Sequence, residues 1–94
     1  MHMLKIKQTR QFKKSLKKVV KQGKDINKLF AIVELLCQKS ELPLVLRDHE
    51  LKGRWKGIRE LHIESDWLLA YQVLDDELVL LLIDTGSHAQ MLGM

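Results

Sequence analysis

Three histidines, His49, His62 and His88, are the side chains of this sequence best suited to moving protons near neutral pH. Imidazole has an ordinary pKa of about 6.5 and serves as either acid or base there. The three lie far apart in sequence, each at the edge of a predicted strand or in a flanking loop. A meander brings alternate strand ends together, so His62 and His88 can share one rim. A lone histidine in such a place is usually a surface or capping residue; three on one rim beside basic residues are not so easily set aside. Their spacing contains no H-x-x-x-H or H-x-x-E-H pattern, so no metal site is expected. Asp66 stands beside Trp67 at a strand entrance. It could orient an imidazole or accept a proton, or simply bond its own backbone in a turn. Arg59 could clamp a phosphate in two-pronged fashion, or pair with Glu60 or Glu64. Trp55 and Trp67 could stack on bases, although core packing is the commoner fate of tryptophan in a chain this short. Tyr71 reads as a core residue with its hydroxyl satisfied. There is no phosphate-cradling G-x-x-x-x-G-K-[ST], no G-x-G-x-x-G and no serine-hydrolase elbow. The chemistry left is acid–base work on a polyanion, with no cofactor.

The charge distribution suits a polyanion. The net charge of +4 hides a segregation: residues 1–59 hold all 16 Lys and Arg against five acids (Asp25, Glu34, Glu41, Asp48, Glu50), a net +11, while residues 60–94 hold seven acids and no Lys or Arg. A segregated positive field attracts nucleic acid, or an acidic protein partner, and raises its on-rate. With a solvated lysine face as the bland alternative, charge alone does not choose. The single cysteine, Cys37, excludes an intrachain disulfide and a multi-cysteine zinc site, and reads as a small buried residue. Met1 to Arg10 contains no apolar run of a signal peptide, and the longest apolar stretch, Leu78 to Ile83, is far short of the ~20 residues of a membrane span. A cytoplasmic protein with no membrane contact is expected. Met1-His2-Met3 has the look of a cloning-derived start, so His2 receives no role.

The elements that must hold these residues can be placed by periodicity. Met3 to Lys7 alternates as a short strand. Thr9 is a candidate N-cap, followed by an apolar helical face of Phe12, Leu16, Val19 and Val20, with Lys13, Lys14, Lys17, Lys18 and Lys21 over much of the rest. Gly23 fits the position just past the helix end. Asp25 begins a second helix with Ile26, Leu29, Phe30, Val33, Leu36 and Cys37 inward, ending near Ser40. Glu41 to Asp48 is a loop around Pro43. Strands are expected at Trp55 to His62, Trp67 to Leu74 and Glu77 to Asp84, with turns at Glu64-Ser65 and Asp75-Asp76. The fold class is α+β in one domain, residues 1–94: an N-terminal strand, then a helical hairpin packed on a small antiparallel sheet.

The stretch Asp48-His49-Glu50-Leu51-Lys52-Gly53-Arg54-Trp55-Lys56-Gly57, continued by Arg59, His62-Ile63, Asp66-Trp67-Leu68-Leu69 and Tyr71, closely resembles the YafQ-like toxins of the RelE superfamily. Thr85-Gly86-Ser87-His88-Ala89 matches their C-terminal signature, and order and lengths fit from about Leu4 to Leu92. The resemblance implies a microbial-ribonuclease-like fold and metal-independent cleavage of mRNA in the ribosomal A site. The substrate's 2′-hydroxyl would attack the adjacent phosphate, giving a 2′,3′-cyclic phosphate and a free 5′-hydroxyl. His49, His62, Asp66 and His88 match active-site positions, and Trp67 the aromatic beside the acidic residue. In the resulting assignment His88 is the acid, and His62 or His49, supported by Asp66, the base. Lys52, Lys56 and Arg59 are added as contacts to the RNA backbone. The resemblance also implies a neutralising antitoxin, commonly in a heterotetramer, with operator DNA bound through the antitoxin.

Two positions depart from the family pattern. Asp84 stands where many relatives carry an arginine beside the Thr-Gly-Ser/Thr-His motif, and the aromatic common near Leu92 is missing. A carboxylate facing phosphate is repulsive by roughly 4 kcal/mol at ~4 Å and an effective dielectric of ~20. Either Arg59 or a lysine substitutes, Asp84 points away, or activity is weak. A degenerate module that binds ribosome or antitoxin without cutting is therefore the second reading. A gyrase poison on the same scaffold would not need the histidines, and a membrane-surface helix would not need the core.

Overall fold

The computed structural model describes residues 3–91, so His2 and Leu92 lie outside the described residues. In chain order the elements are β1 (Lys5–Gln8), α1 (Arg10–Lys21), α2 (Ile26–Cys37), β2 (His49–Glu50), β3 (Arg59–Glu64), β4 (Trp67–Leu74) and β5 (Val79–Gly86). Short 3-10 turns occupy Leu44–Leu46, Gly53–Trp55 and Asp75–Glu77. The expected caps are present. Thr9 accepts from the Phe12 N–H at 3.0 Å, and its hydroxyl donates to the Ile83 carbonyl at 2.6 Å, tying the start of α1 to β5. Asp25 accepts from the Asn27 N–H at 3.1 Å and starts α2.

The helices bury Phe12, Ser15 and Val19 from α1, and Leu29, Ile32, Val33, Leu36 and Cys37 from α2. Val20 and Phe30, expected on the apolar faces, are 54% and 55% exposed. Each lies roughly 100° around its helix from the buried residue before it, outside the arc that the sheet covers.

The sheet order is β1-β5-β4-β3-β2. Pairings β2–β3, β3–β4 and β4–β5 are antiparallel, as a meander requires. β1 instead runs parallel to β5, with Lys5 opposite Val79 and Gln8 opposite Leu82, so the α+β fold carries a mixed sheet rather than a wholly antiparallel one. A parallel pair needs a long crossover, and everything between Gln8 and Val79 supplies it. Two strand starts also shift. Gly53–Trp55 curls into a turn, leaving β3 to begin at Arg59 rather than Trp55. Asp75–Glu77 forms a helical turn, and Leu78, at φ +55°, delays β5 to Val79. His49–Glu50 adds a short strand just past the expected loop of Glu41 to Asp48, where no element was placed.

Both helices cover one face of the sheet. There Phe12, Val19, Leu29, Leu36, Leu61, Trp67, Leu69, Tyr71, Leu80 and Leu82 form the main core. Each large apolar side chain fully buried contributes about 1.5–3 kcal/mol before ordering costs. Burial in this layer also pushes the Cys37 thiol pKa up. The other face has a smaller cluster of Leu68, Ala70 and Met91, with Ile58 and Ile83 against it, and beside this cluster the polar residues gather.

Candidate active site

Alternation along β3 sends Leu61 and Ile63 toward the helices and leaves Glu60 and His62 on the opposite face, across from Ala70 and Leu68 of β4. β2 places His49 opposite Glu60. Residues directly opposite share a face, and His49 Nε2 is 3.8 Å from Glu60 Oε1. The other ring nitrogen, Nδ1, donates to the Arg47 carbonyl at 2.8 Å. His62 is then the diagonal neighbour of His49, at about 7–8 Å for such a pair.

His88 arrives from the far end of β5. Past Gly86 the chain closes a turn in which Ser87 N–H donates to Gln90 Oε1 at 2.9 Å and Met91 N–H to the Ser87 carbonyl at 3.0 Å. Gly86, at φ +153°, leaves room for that turn; a Cβ there would meet Gln90 Oε1 at 2.7 Å and displace the bond it accepts from Ser87. The turn presents His88 to Asp66, on the β3–β4 turn. One oxygen, Asp66 Oδ1, accepts from the His88 backbone N–H at 3.1 Å and from its Nδ1 at 2.8 Å. These two bonds, the backbone one first, hold the Asp66 carboxyl below its ordinary pKa. A carboxylate can only accept, so His88 Nδ1 carries the proton and Nε2 is left for a substrate. The His88 and His62 rings lie 5.6 Å apart between centroids, tilted by 48°. His62 Nδ1 is buried without a hydrogen-bond partner among the described residues. Two imidazoles at this spacing can give and take protons at the two ends of one bond rearrangement.

Asp66 thus backs His88, not His62 or His49 as the sequence suggested. Two further expected site residues, Trp67 and Arg59, are corrected. Trp67 is fully buried on the helix side; its Nε1 donates to Thr85 Oγ1 at 2.9 Å, and that hydroxyl donates to the Leu68 carbonyl at 2.7 Å. No indole face is open to a base, so Trp67 braces β4 against β5. Arg59 lies opposite Tyr71 on the helix side, one residue out of phase with His62. Its Nε and Nη2 both donate to Asp48 Oδ2, at 3.0 and 2.8 Å, and the Tyr71 hydroxyl donates to the other oxygen of Asp48. The Asp48 contact raises the Arg59 pKa, while burial and then Asp48 raise that of Tyr71. The guanidinium is therefore committed to structure, and to neither Glu60 nor Glu64; Glu64 accepts from Lys28 at 2.7 Å. Lys52 and Lys56 flank the Gly53–Trp55 turn, exposed and without an ion pair among the described residues.

Asp84 is 7% exposed and faces α1. The β4–β5 register skips Ile83 at this point, and Asp84 Oδ1 accepts from Ser15 Oγ at 2.5 Å and from the Thr85 N–H at 2.8 Å. Of the three resolutions open in the sequence, the carboxylate points away. Sequence reading missed Glu60 as the neighbour of His49, and Arg47, which adjoins His62 across a hollow. Period-two alternation back from His62 was the available signal for Glu60; nothing local marked Arg47. Among the described residues no group of three or more His, Cys, Asp or Glu is arranged to hold a metal ion.

The family described as bacterial toxin of type II toxin-antitoxin system, YafQ, matches residues 4–93. The mRNA interferase toxin YafQ of Escherichia coli K12 is 42% identical over 84 residues, spanning 88% of this chain and 89% of that one. A metal-bound toxin from Helicobacter pylori superposes with a TM-score of 0.90 at 39% identity, over 95% of this chain and 99% of that one. The E. coli DinJ-YafQ toxin-antitoxin complex aligns with a TM-score of 0.86 at 39% identity, over 97% of this chain and 99% of the matched chain.

Proposed function

The chain belongs to the YafQ family of bacterial type II toxin–antitoxin toxins, and from that premise we propose that it is a ribosome-dependent, metal-independent endoribonuclease that cuts translated mRNA in the cytoplasm. The observation that carries this reading is the Asp66–His88–His62 arrangement on the sheet face opposite the helices. A base removes the proton from the 2′-hydroxyl of the nucleotide before the scissile bond. The 2′-oxygen attacks phosphorus, the bond to the 5′-oxygen breaks, and an acid protonates that oxygen. The products are a 2′,3′-cyclic phosphate and a free 5′-hydroxyl. His88, oriented by Asp66, is the acid; His62 is the base, with His49 as the other candidate. Lys52 and Lys56 contact the RNA backbone, and no arginine is required at position 84.

The E. coli relative crystallised with DinJ is a toxin held by its antitoxin. By the same logic this chain is held by a cognate antitoxin, in a heterotetramer, and reaches operator DNA through that partner alone. Primer extension on a defined mRNA in a reconstituted translation system tests the activity. Codon-phased cuts should require ribosomes, should drop at least about 100-fold in His88→Ala by the usual weight of a general acid, and should survive prior treatment of the toxin with chelator. Near-wild-type cutting by His88→Ala removes His88 from the mechanism. A folded, ribosome-bound protein that makes no cuts supports the second reading, a binding module, which the absence of the family arginine at Asp84 keeps open.

A further inference from the structure

β2 pairs only with Arg59 and Glu60, so from Leu61 onward the outer edge of β3 has no strand beside it. The Leu44–Leu46 turn lies there instead, with Leu46 buried into the core and Leu44 and Val45 left 95% and 79% exposed. Between that turn and β3 is a half-open hollow of about 200 Å³, lined by residues 45–47 and 62–65, among them Val45, Arg47, His62, Glu64 and Ser65. Its composition is particular. Apolar side chains and hydrogen-bonding groups of both kinds line it together. Arg47 donates, Ser65 does either, and Glu64 accepts, its Oε2 already taking Lys28 at 2.7 Å. His62 contributes to the lining and has a buried ring nitrogen without a partner among the described residues.

The geometry points to this hollow as a nucleobase subsite, holding one base of the RNA next to the scissile phosphate, with Arg47 and Val45 as specificity-determining residues. The inference rests on the endonuclease reading and extends it. Size is the first reason. Sites for drug-sized ligands run to roughly 300–1,000 Å³, so a hollow of about 200 Å³ suits one flat ring system and not a peptide segment. Chemistry is the second. A base needs apolar contact on its faces and mixed donors and acceptors at its edge, which is what the lining offers. Position is the third. His62 is shared between the hollow and the reacting pair with His88, 5.6 Å between ring centroids, so a base seated here lies within one nucleotide of the phosphate those rings address. Arg47 takes a left-handed backbone conformation, φ +52°, which turns the chain between the hollow and Asp48. The Asp48 carboxylate is occupied by Arg59 and Tyr71, and Arg47, which lines both this hollow and the neighbouring one beside Asp48, makes no ion pair among the described residues.

The test uses Val45→Trp, which plugs the hollow from an exposed position, and Arg47→Gly, which keeps the backbone conformation and removes the side chain. Neither residue takes part in proton transfer. Cut-site distributions on a randomised mRNA are read in reconstituted translation, beside chemical-shift titration of the free protein with each of the four nucleoside 3′-monophosphates. The expected result is at least a fivefold change in relative use of the nucleotide next to the cut for both variants. Shifts at Val45, His62 and Ser65 should appear with one or two nucleotides and vanish in Val45→Trp. Variants that scale all cuts equally, or leave the distribution unchanged, overturn the subsite. So does a Val45→Trp protein whose only defect is weaker antitoxin binding, which would make the hollow a protein contact. Should wild type cut nothing, the endonuclease reading fails by itself; the titration then decides, with hollow-specific shifts retaining a base site and their absence removing it.

Discussion

At residue scale, Asp84 shows how far an aligned letter can mislead. By sequence it replaces a phosphate-binding arginine with a repelling carboxylate; in the fold it is the acceptor for Ser15 Oγ and the Thr85 N–H. Gln11 Nε2 donates to the same Ser15 hydroxyl at 3.0 Å, so a line of side chains joins α1 to the strand that leads into His88. Asp84→Arg should therefore not restore a family feature. Asp84→Asn keeps an acceptor oxygen and should be nearly neutral to stability. Asp84→Ala leaves a buried hydroxyl and an N–H unsatisfied and should cost about 1–3 kcal/mol, and Asp84→Arg should cost more than Ala because a cation replaces an acceptor in that space. Urea unfolding of the three variants gives the order directly. If Asp84→Arg is as stable as wild type and cuts faster, the carboxylate has no structural role and the phosphate-binding account returns. The histidines were legible in the sequence because their chemistry is rare and their strand-edge positions follow from periodicity. The partner of Asp66 was not legible. The choice among three imidazoles depends on a turn at Ser87–Met91 closed by the side chains of Ser87 and Gln90 and by the Met91 N–H on the Ser87 carbonyl.

At element scale, the caps, both helices and the β3–β4–β5 meander could be read because they are local: Thr9, Asp25 and Gly23 act within a turn of their own positions. The parallel partner of β1 could not, because nothing in Lys5–Gln8 specifies a neighbour more than 70 residues away. The late starts of β3 and β5 escaped for another reason. Trp55 and Leu78 have strand-like side chains, but turn geometry around them prevails. The joint between α2 and β3 can be tested through pH. Lys28 donates to Glu64 at 2.7 Å, and Lys24 lies 4.0 Å from the same carboxylate. The Lys28 hydrogen bond is the main cause that lowers the Glu64 pKa from 4.5, and the same bond raises that of Lys28 from 10.5. A carboxyl whose folded pKa is depressed contributes stability above its unfolded value and loses it as pH falls through the folded one. An elevated lysine contributes below its unfolded value and loses it as pH rises through the folded one. The link should therefore act across neutral pH and fade at both extremes. Thermal melts of wild type and Lys28→Met at low salt should differ at neutral pH and converge in acid, with 1 M salt shrinking the difference as for any exposed pair. A gap that persists unchanged after Glu64 is protonated would mean that Lys28 stabilises by packing and not by charge.

At the scale of the whole molecule, the fold separates two kinds of surface. The face opposite the helices carries the histidines, while α1 turns Lys13, Lys14, Lys17, Lys18 and Lys21 outward, all exposed and without an ion pair among the described residues. Phe12, Ser15 and Val19 fix the inward side of that helix, so the lysines have no role in holding it to the sheet. On the endonuclease reading proposed above, a cationic stripe displaced from the histidines fits a surface that docks on folded RNA while the histidine face meets the cleaved strand. Lys14, Lys18 and Lys21 follow one another at helical spacing, and neighbours of that kind line up along a helix. Replacing all three by Gln should weaken association with ribosomes. The plot of log affinity against log salt should become shallower by about 0.7–0.9 for each phosphate that is no longer neutralised. Exposure of the three side chains predicts an unchanged melting temperature, and the rate of cutting at saturating toxin should stay as in wild type. Sedimentation binding over a salt series checks the slope. An unaltered slope would make the stripe a solvated face and move the anchoring charge to Lys52 and Lys56; a slope that drops together with the saturated cutting rate would place α1 within reach of the cleaved strand itself.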